Sequence, residues 1–265
     1  MEIRRLGWAG LELIAQGSSL VVDYVQDFRV LSAALPNDEF VQPTHPGRAV
    51  AALVTHLHGD HTDVPAIESA VGPRGLVLRP PPFVGTREEG VGTASQEDDL
   101  AASALDVRVV SDWERVELAP FTVTAVPAVD GLGDPQVGWV IEADGQRIFH
   151  GGDTMFHGYW WLIARRAGPI DVAVLPINGA KVNFPVPQLQ PASELPADLT
   201  PEQAAQAAVL LSAKALLPMH FGVHRPPYYV EEHDPLTKLA AAAAAKSVRV
   251  APLGVGEAVD VAAVA

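Results

Sequence analysis

The feature that most restricts this chain is a run of three imidazoles and one carboxylate in His56-Leu57-His58-Gly59-Asp60-His61. It follows Ala51-Ala52-Leu53-Val54, an apolar run that reads as a short buried strand. In open α/β sheets, ligands are bound at the carboxyl ends of strands. Imidazole and carboxylate are the donors that borderline divalent metals prefer. Crowding them together with no cation between them would leave buried polar groups unpaired.

Upstream, residues 2 to 24 read as two strands around a turn at Gln16-Gly17-Ser18-Ser19, the second ending in Asp23. Asp23 is expected to hold the loop beneath the motif by accepting backbone hydrogen bonds. A polar, proline-containing loop spans 25 to 49. After the motif, 63 to 71 reads as a helix stopped at Gly72. Leu76-Val77-Leu78 is strand-like, whereas 80 to 99, rich in proline, glycine and acids, reads as an exposed loop. Strands are expected at 105–110, 114–118 and 121–126, then a hairpin over 137–150 turning on Asp144-Gly145.

That hairpin ends in Gly151-Gly152-Asp153-Thr154, where glycine lets backbone come close to a ligand beside the Asp153 carboxylate. A helix over 155–167, a buried strand over 171–176 and the turn Ile177-Asn178-Gly179 follow. The stretch holding Pro185, Pro187, Pro191 and Pro196 is a candidate substrate lid. Thr200-Pro201-Glu202-Gln203 begins a helix with a capping box. Ala215 to Met219 is a strand that delivers His220. A helix over 236–245 and terminal strands within 248–261 complete the chain.

The His-X-His-X-Asp-His motif, Gly151-Gly152-Asp153-Thr154 and Pro218-Met219-His220-Phe221-Gly222 together resemble the metallo-β-lactamase fold superfamily, in matching order along nearly the whole chain. The resemblance implies an α/β fold of the four-layer αββα sandwich type. It implies a single domain over 1–265 with two pseudo-equivalent halves, about 2–130 and 135–262. It also implies two divalent metal ions, zinc or manganese, with iron compatible. By the same resemblance His56 and His58 bind a first metal, Asp60 and His61 a second, Asp153 bridges the two and His220 joins the second. Gly7-Trp8-Ala9-Gly10 and Pro176-Ile177-Asn178-Gly179 are similar to the branch containing ascorbate-6-phosphate lactonase and the N-acylphosphatidylethanolamine phospholipase. A hydrolase is expected, using a metal-activated water on an ester, lactone or phosphodiester, with Asp60 orienting the nucleophile or receiving its proton. The alternative expectation is a binding-only member with an incomplete metal site.

One position departs from that family pattern. After the strand ending at Val126 the family presents a His as the third ligand of the first metal, but no His occurs between His61 and His150. Asp130 stands in that place, and Asp134 is a less well placed alternative. As a ligand, Asp130 would shift preference from zinc toward manganese or iron, because carboxylate oxygen is harder than imidazole nitrogen. As a mere cap on the turn before Gly131, it would leave the first site incomplete. Lys181, His224 and His157 are candidate substrate-binding residues.

Composition narrows the partners. The 265-residue chain carries a formal charge of −14, which repels nucleic-acid phosphate and anionic membranes. A small-molecule substrate is therefore expected, with no nucleic acid and no membrane insertion; a homo-oligomer is compatible with the sequence. There are no cysteines, so neither disulfides nor thiolate ligands are available. The opening Met1-Glu2-Ile3-Arg4-Arg5-Leu6 lacks signal-peptide character and no long apolar run occurs, which together predict a cytoplasmic location.

If the motif histidines are ligands, His56→Ala or His58→Ala lowers the metal recovered with the purified protein and abolishes hydrolysis. Elemental analysis checks this, and unchanged metal content in both variants contradicts it.

Overall fold

The computed structural model describes residues 1–28, 39–183 and 193–265. The candidate lid segment lies largely outside these residues. The first sheet holds β1 (Glu2–Gly7), β2 (Gly10–Ala15), β3 (Ser18–Val22), β4 (Ala52–Leu53), β5 (Leu76–Arg79) and β6 (Asp106–Val109). Their spatial order follows the chain, and β3 through β6 run parallel. The second sheet begins with β7 (Arg115–Leu118), β8 (Phe121–Pro127), β9 (Val137–Ala143) and β10 (Gln146–His150), joined as an antiparallel meander. It continues in parallel through β11 (Val172–Pro176), past the small antiparallel pairing of β12 (Lys181–Val182) with β14 (Tyr229–Val230), to β13 (Ala215–Met219) and β15 (Arg249–Val250). The last strand, β16 (Ala258–Asp260), returns to pair with β1 in the first sheet.

Strand periodicity of two explains the layering. In β9, Val137, Trp139, Ile141 and Ala143 enter the core between the sheets, whereas Val140 faces outward. In β11, Val172 and Val174 point inward while Ala173 and Leu175 point to the helices. The helices α1 (Val64–Val71) and α2 (Ala94–Ala102) cover the outer face of the first sheet, with Ile67, Ala70 and Leu100 packed on Val21, Ala52 and Val77. On the second sheet, α3 (Trp160–Ala167), α4 (Pro201–Leu210) and α5 (Pro235–Ala244) bury Ile163, Ala204, Ala208 and Leu239. A short α6 (Val261–Val264) closes the chain. The result is the expected four-layer αββα arrangement. Among the described residues no helix is long and apolar enough to cross a membrane.

Four expectations are corrected. Residues 2 to 15 form two strands, because the chain turns at Gly7-Trp8-Ala9-Gly10 within what reads as continuous alternation. Part of the expected loop over 80–99 is α2; its surface is mostly polar, and only Gln96 and Leu100 are buried, which hides the helical period. Residues 155–159 are not helical, and α3 begins at Trp160. The division between sheets falls before Arg115 rather than near 130, since the β7–β8 hairpin pairs with β9, and β16 crosses back.

The topology brings the chemistry to one edge. Asp23 follows β3, the histidine motif follows β4, Asp153 follows β10 and His220 follows β13, all parallel strands. Strand β8 is antiparallel to β9, which is antiparallel to β10, so the end of β8 that leads to Asp130 lies at the same edge.

The α4 capping box forms with both arms: Thr200 Oγ1 accepts from Gln203 N and Gln203 Oε1 accepts from Thr200 N. Thr200→Ala is expected to cost about 1 kcal/mol in chemical denaturation. No measurable loss would show that the box adds nothing to α4.

Candidate metal centre

Asp23 organises the floor of the site. Its Oδ1 accepts from Thr55 N at 2.8 Å, and its Oδ2 accepts from Thr55 Oγ1 at 2.7 Å and from His61 Nδ1 at 2.9 Å. Because the Thr55 hydroxyl gives its proton to Asp23, its lone pair is free to accept from His56 Nδ1 at 3.0 Å. One carboxylate therefore sets the tautomer of two imidazoles. Both Nε2 atoms then face the interior of the cluster, buried and without partners. This bears out the expected loop-holding role of Asp23 and extends it.

His58 is turned the other way. Its Nε2 contacts Asp134 Oδ2 at 2.8 Å, leaving Nδ1 facing Asp130 Oδ1 at 3.9 Å. Asp130 does two jobs at once. Its Oδ2 accepts from Leu132 N and Asp134 N, as a turn cap would, while Oδ1 looks into the cluster. The two sequence alternatives for Asp130 are therefore not exclusive, and Asp134 supports His58. His56, His58, Asp130 and Asp153 present donor atoms that all lie within 4.8 Å of one another.

A second group, Asp60, His61 and His220, meets the same criterion. Asp60 Oδ2 lies 3.6 Å from His61 Nε2 and 3.5 Å from His220 Nε2, and accepts from the Trp8 indole at 3.1 Å. The Trp8 ring also packs on the His220 imidazole, centroids 4.2 Å apart. This is what the turn interrupting β1 and β2 accomplishes. His220 has φ +56, a left-handed backbone immediately after the end of β13. Asp153 Oδ2 is 3.6 Å from His220 Nε2, so Asp153 stands between the two groups.

Three further residues frame Asp153. His150, fully buried, donates from Nε2 to Ala9 O at 2.9 Å and accepts at Nδ1 from Gly152 N at 3.2 Å. It thus ties the Asp153 turn to the Trp8 turn across the two sheets. Gly152 has φ +63, and a Cβ there would sit 2.8 Å from the Thr55 side chain. Asp198, buried beside them, has Oδ2 3.8 Å from His220 Nδ1 and forms with Asp153 and His220 a third group of donor atoms within 4.8 Å of one another.

The electrostatics call for positive charge. Burial pushes Asp153 well above the usual carboxylate range, helped by the charges of Asp198 and Asp60. Burial likewise raises Asp130. For His58 burial works downward, but Asp130, Asp134 and Asp60 outweigh it and push the ring up to about 9. His61 is raised too, its burial outweighed by Asp60 and Asp23. His56, buried among His61, His58 and His220, is held well below its ordinary value. Burial opposes ionisation of Asp60, yet His61 and His220 hold it below the usual carboxylate range. The unpartnered Nε2 atoms of His56, His61 and His220, together with the unpartnered Asp153 Oδ1, are buried donors aimed inward. Such orphaned atoms are costly unless a cation satisfies them, so this donor set fits divalent metal.

The structure thus brings together His56, His58, Asp60, His61, Asp130, Asp153 and His220. The candidate substrate residues are placed differently. His157 stacks on Trp160, centroids 4.0 Å apart, and burial pushes its ring down to about 4. Lys181 pairs with Glu194, and His224 is solvent-exposed. None of the three has a described contact with the cluster. Sequence reasoning named Asp134 only as an alternative to Asp130 and missed His150, Asn178, Asp198 and Tyr229, which reach the site only through tertiary packing.

Donors gathered this way at the strand ends of an αββα sandwich define a member of the metallo-β-lactamase superfamily. Residues 20–221 match the family described as the β-lactamase superfamily domain. A UPF0173 metal-dependent hydrolase from Thermococcus kodakarensis is 30% identical over 185 residues, 66% of this chain and 67% of that one. Another, from Pelotomaculum thermopropionicum, is 27% identical over 266 residues, 98% of this chain and 100% of the other. The crystal structure of CmlA, a diiron β-hydroxylase from Streptomyces venezuelae, shares the fold with a TM-score of 0.74 and 17% identity, over 97% of this chain and 53% of that one. The chain belongs to the UPF0173 metal-dependent hydrolase family of that superfamily.

Gly152→Ala is expected to displace Thr55, loosen His56 and lower metal content while the protein still folds. Circular dichroism with elemental analysis checks this; full metal occupancy in the variant contradicts it.

Proposed function

We propose that this protein is a two-metal hydrolase whose substrate is an uncharged ester or lactone. The observation that carries the reading is the pair of buried donor groups joined at Asp153: His56, His58 and Asp130 on one side, Asp60, His61 and His220 on the other. Two divalent ions held there would lower the pKa of water toward about 7 and polarise a carbonyl oxygen. The chain's own residues do the rest. Asp153 and Asp130 supply charge to hold the first ion. Asp60 would hold the second and, as a carboxylate beside the nucleophile, orient it or take up its proton. Trp8 keeps Asp60 in place through its indole hydrogen bond.

Charge favours an uncharged substrate. Asp60, Asp130, Asp134, Asp153 and Asp198 surround the site and are all well shielded from solvent. Together with Asp23 beneath them they offset the charge of two divalent ions, leaving little net positive charge to attract a phosphodiester anion. Asp130 in place of an imidazole favours iron or manganese over zinc. That the structurally similar CmlA is a diiron enzyme makes iron the first metal to assay.

The test combines elemental analysis with initial rates on a lactone, an aryl ester and a phosphodiester. Lactone or ester turnover well above phosphodiester turnover is expected, with iron or manganese bound. Full metal occupancy without turnover on any of the three would instead support a binding-only protein. Asp60→Asn is expected to stay folded and to lose activity by roughly 10²–10⁴-fold, the scale of a lost acid–base group. Near wild-type turnover would remove Asp60 from the chemistry.

A further inference from the structure

Each imidazole of the cluster has a partner on the ring nitrogen facing away from it. For His56, His58 and His61 that partner is an oxygen: Thr55, Asp134 and Asp23 respectively. For His220 it is the amide of Asn178, whose tip atom placed as Nδ2 lies 3.1 Å from His220 Nδ1 and 2.6 Å from the Tyr229 hydroxyl, with Oδ1 left unpartnered. All three residues are buried. Which tip atom is oxygen and which is nitrogen is assigned from the partners. A contact of 2.6 Å is an ordinary O–H···O length but short for a bond involving an amide N–H, which runs about 2.7–3.2 Å. The other Asn178 tip atom has no partner, so the interactions converge on this one.

The needs of His220 point the same way. Its Nε2 is buried, unpartnered and directed at Asp60 and Asp153. A histidine that binds a cation through Nε2 carries its proton on Nδ1 and needs an acceptor there. An amide nitrogen at that spot would set donor against donor.

We propose that Asn178 presents its carbonyl oxygen to both the His220 Nδ1–H and the Tyr229 hydroxyl, and that this Tyr229–Asn178 pair positions His220 and sets the affinity of the second cation. The proposal rests on the two-metal reading above. Tyr229 sits on β14, whose pairing with β12 at Val182 holds it over the turn after β11, and Glu232 N donates to the Asn178 backbone carbonyl at 2.7 Å. Trp8 covers the imidazole on another side. A ring on a left-handed backbone is thus clamped by neighbours from both sheets. A neutral amide makes His220 a weaker donor than the carboxylate-backed His61, so the second cation is held less tightly than an aspartate at 178 would allow.

The experiment is a Mn²⁺ titration of the metal-free protein, followed by electron paramagnetic resonance, which resolves two dissociation constants. Asn178→Leu is expected to weaken the second by about 10–100-fold, the usual effect of removing such a supporting partner. Tyr229→Phe is expected to weaken it several-fold. Both should leave the first constant within twofold. Asn178→Asp should tighten the second constant, which a purely structural role would not produce. The proposal is overturned if Tyr229→Phe and Asn178→Leu leave the second constant unchanged, if both constants fall together, or if Asn178→Asp binds the second ion no more tightly than wild type. A wild type that takes up fewer than two ions would instead overturn the two-metal reading itself.

Discussion

The Asp23 carboxylate is the point from which this site is built. It accepts from the Thr55 backbone, the Thr55 hydroxyl and the His61 ring, and through that hydroxyl it governs His56 as well. Everything above depends on that direction of donation. With Nδ1 of His56 and His61 occupied from below, their Nε2 atoms have nowhere to point but the cluster, where protein offers them no partner. Asp134 does the same for His58 in mirror fashion, freeing Nδ1 rather than Nε2. The fold's contribution is to end β3, β4, β8, β10 and β13 at one edge, so that these short-range constraints act on the same few ångströms of space.

The donor set was legible in the sequence because its parts are local. Three imidazoles and a carboxylate in six residues after an apolar run, a glycine-flanked Asp153 at the end of a hairpin and His220 at the end of a buried strand each carry their own pattern. The supporting residues carry none. Asn178, Asp198 and Tyr229 are single polar residues in ordinary loops and strands, and only the packing of the second sheet against β12 and β14 brings them to His220 and Asp153. His150 reads as the last residue of a strand; its role lies in reaching Ala9 across the two sheets. The Gly7–Gly10 turn was missed because apolar alternation continues across it, although that turn is what places Trp8 against Asp60. Helix α2 was missed because so few of its side chains are buried.

The position that departs from the family pattern still brings a carboxylate within reach of the cluster. Asp130 is shorter than the histidine it stands for, yet its bridge to Thr154 draws its backbone toward the Asp153 turn, and Gly131 lets the 197–198 segment pass close by. An Ala197 carbonyl oxygen would lie only 2.3 Å from a Cβ at 131. That close backbone approach also brings in Asp198. The consequence is a cluster rich in carboxylate, with strong demand for cation charge. Such crowding of buried acids works against folding until a cation is bound, a local conflict of the kind expected at functional sites.

The central claim is that the first cation is held by His56 Nε2, His58 Nδ1, Asp130 and Asp153, with the second beside it at Asp60, His61 and His220. Anomalous diffraction from crystals of the metal-loaded protein, collected on both sides of the iron and manganese edges, tests it directly. The account predicts two peaks, one of them in contact with an Asp130 carboxylate oxygen and with His58 through Nδ1. A single peak at Asp60, His61 and His220, with Asp130 engaged only by its turn, would contradict it.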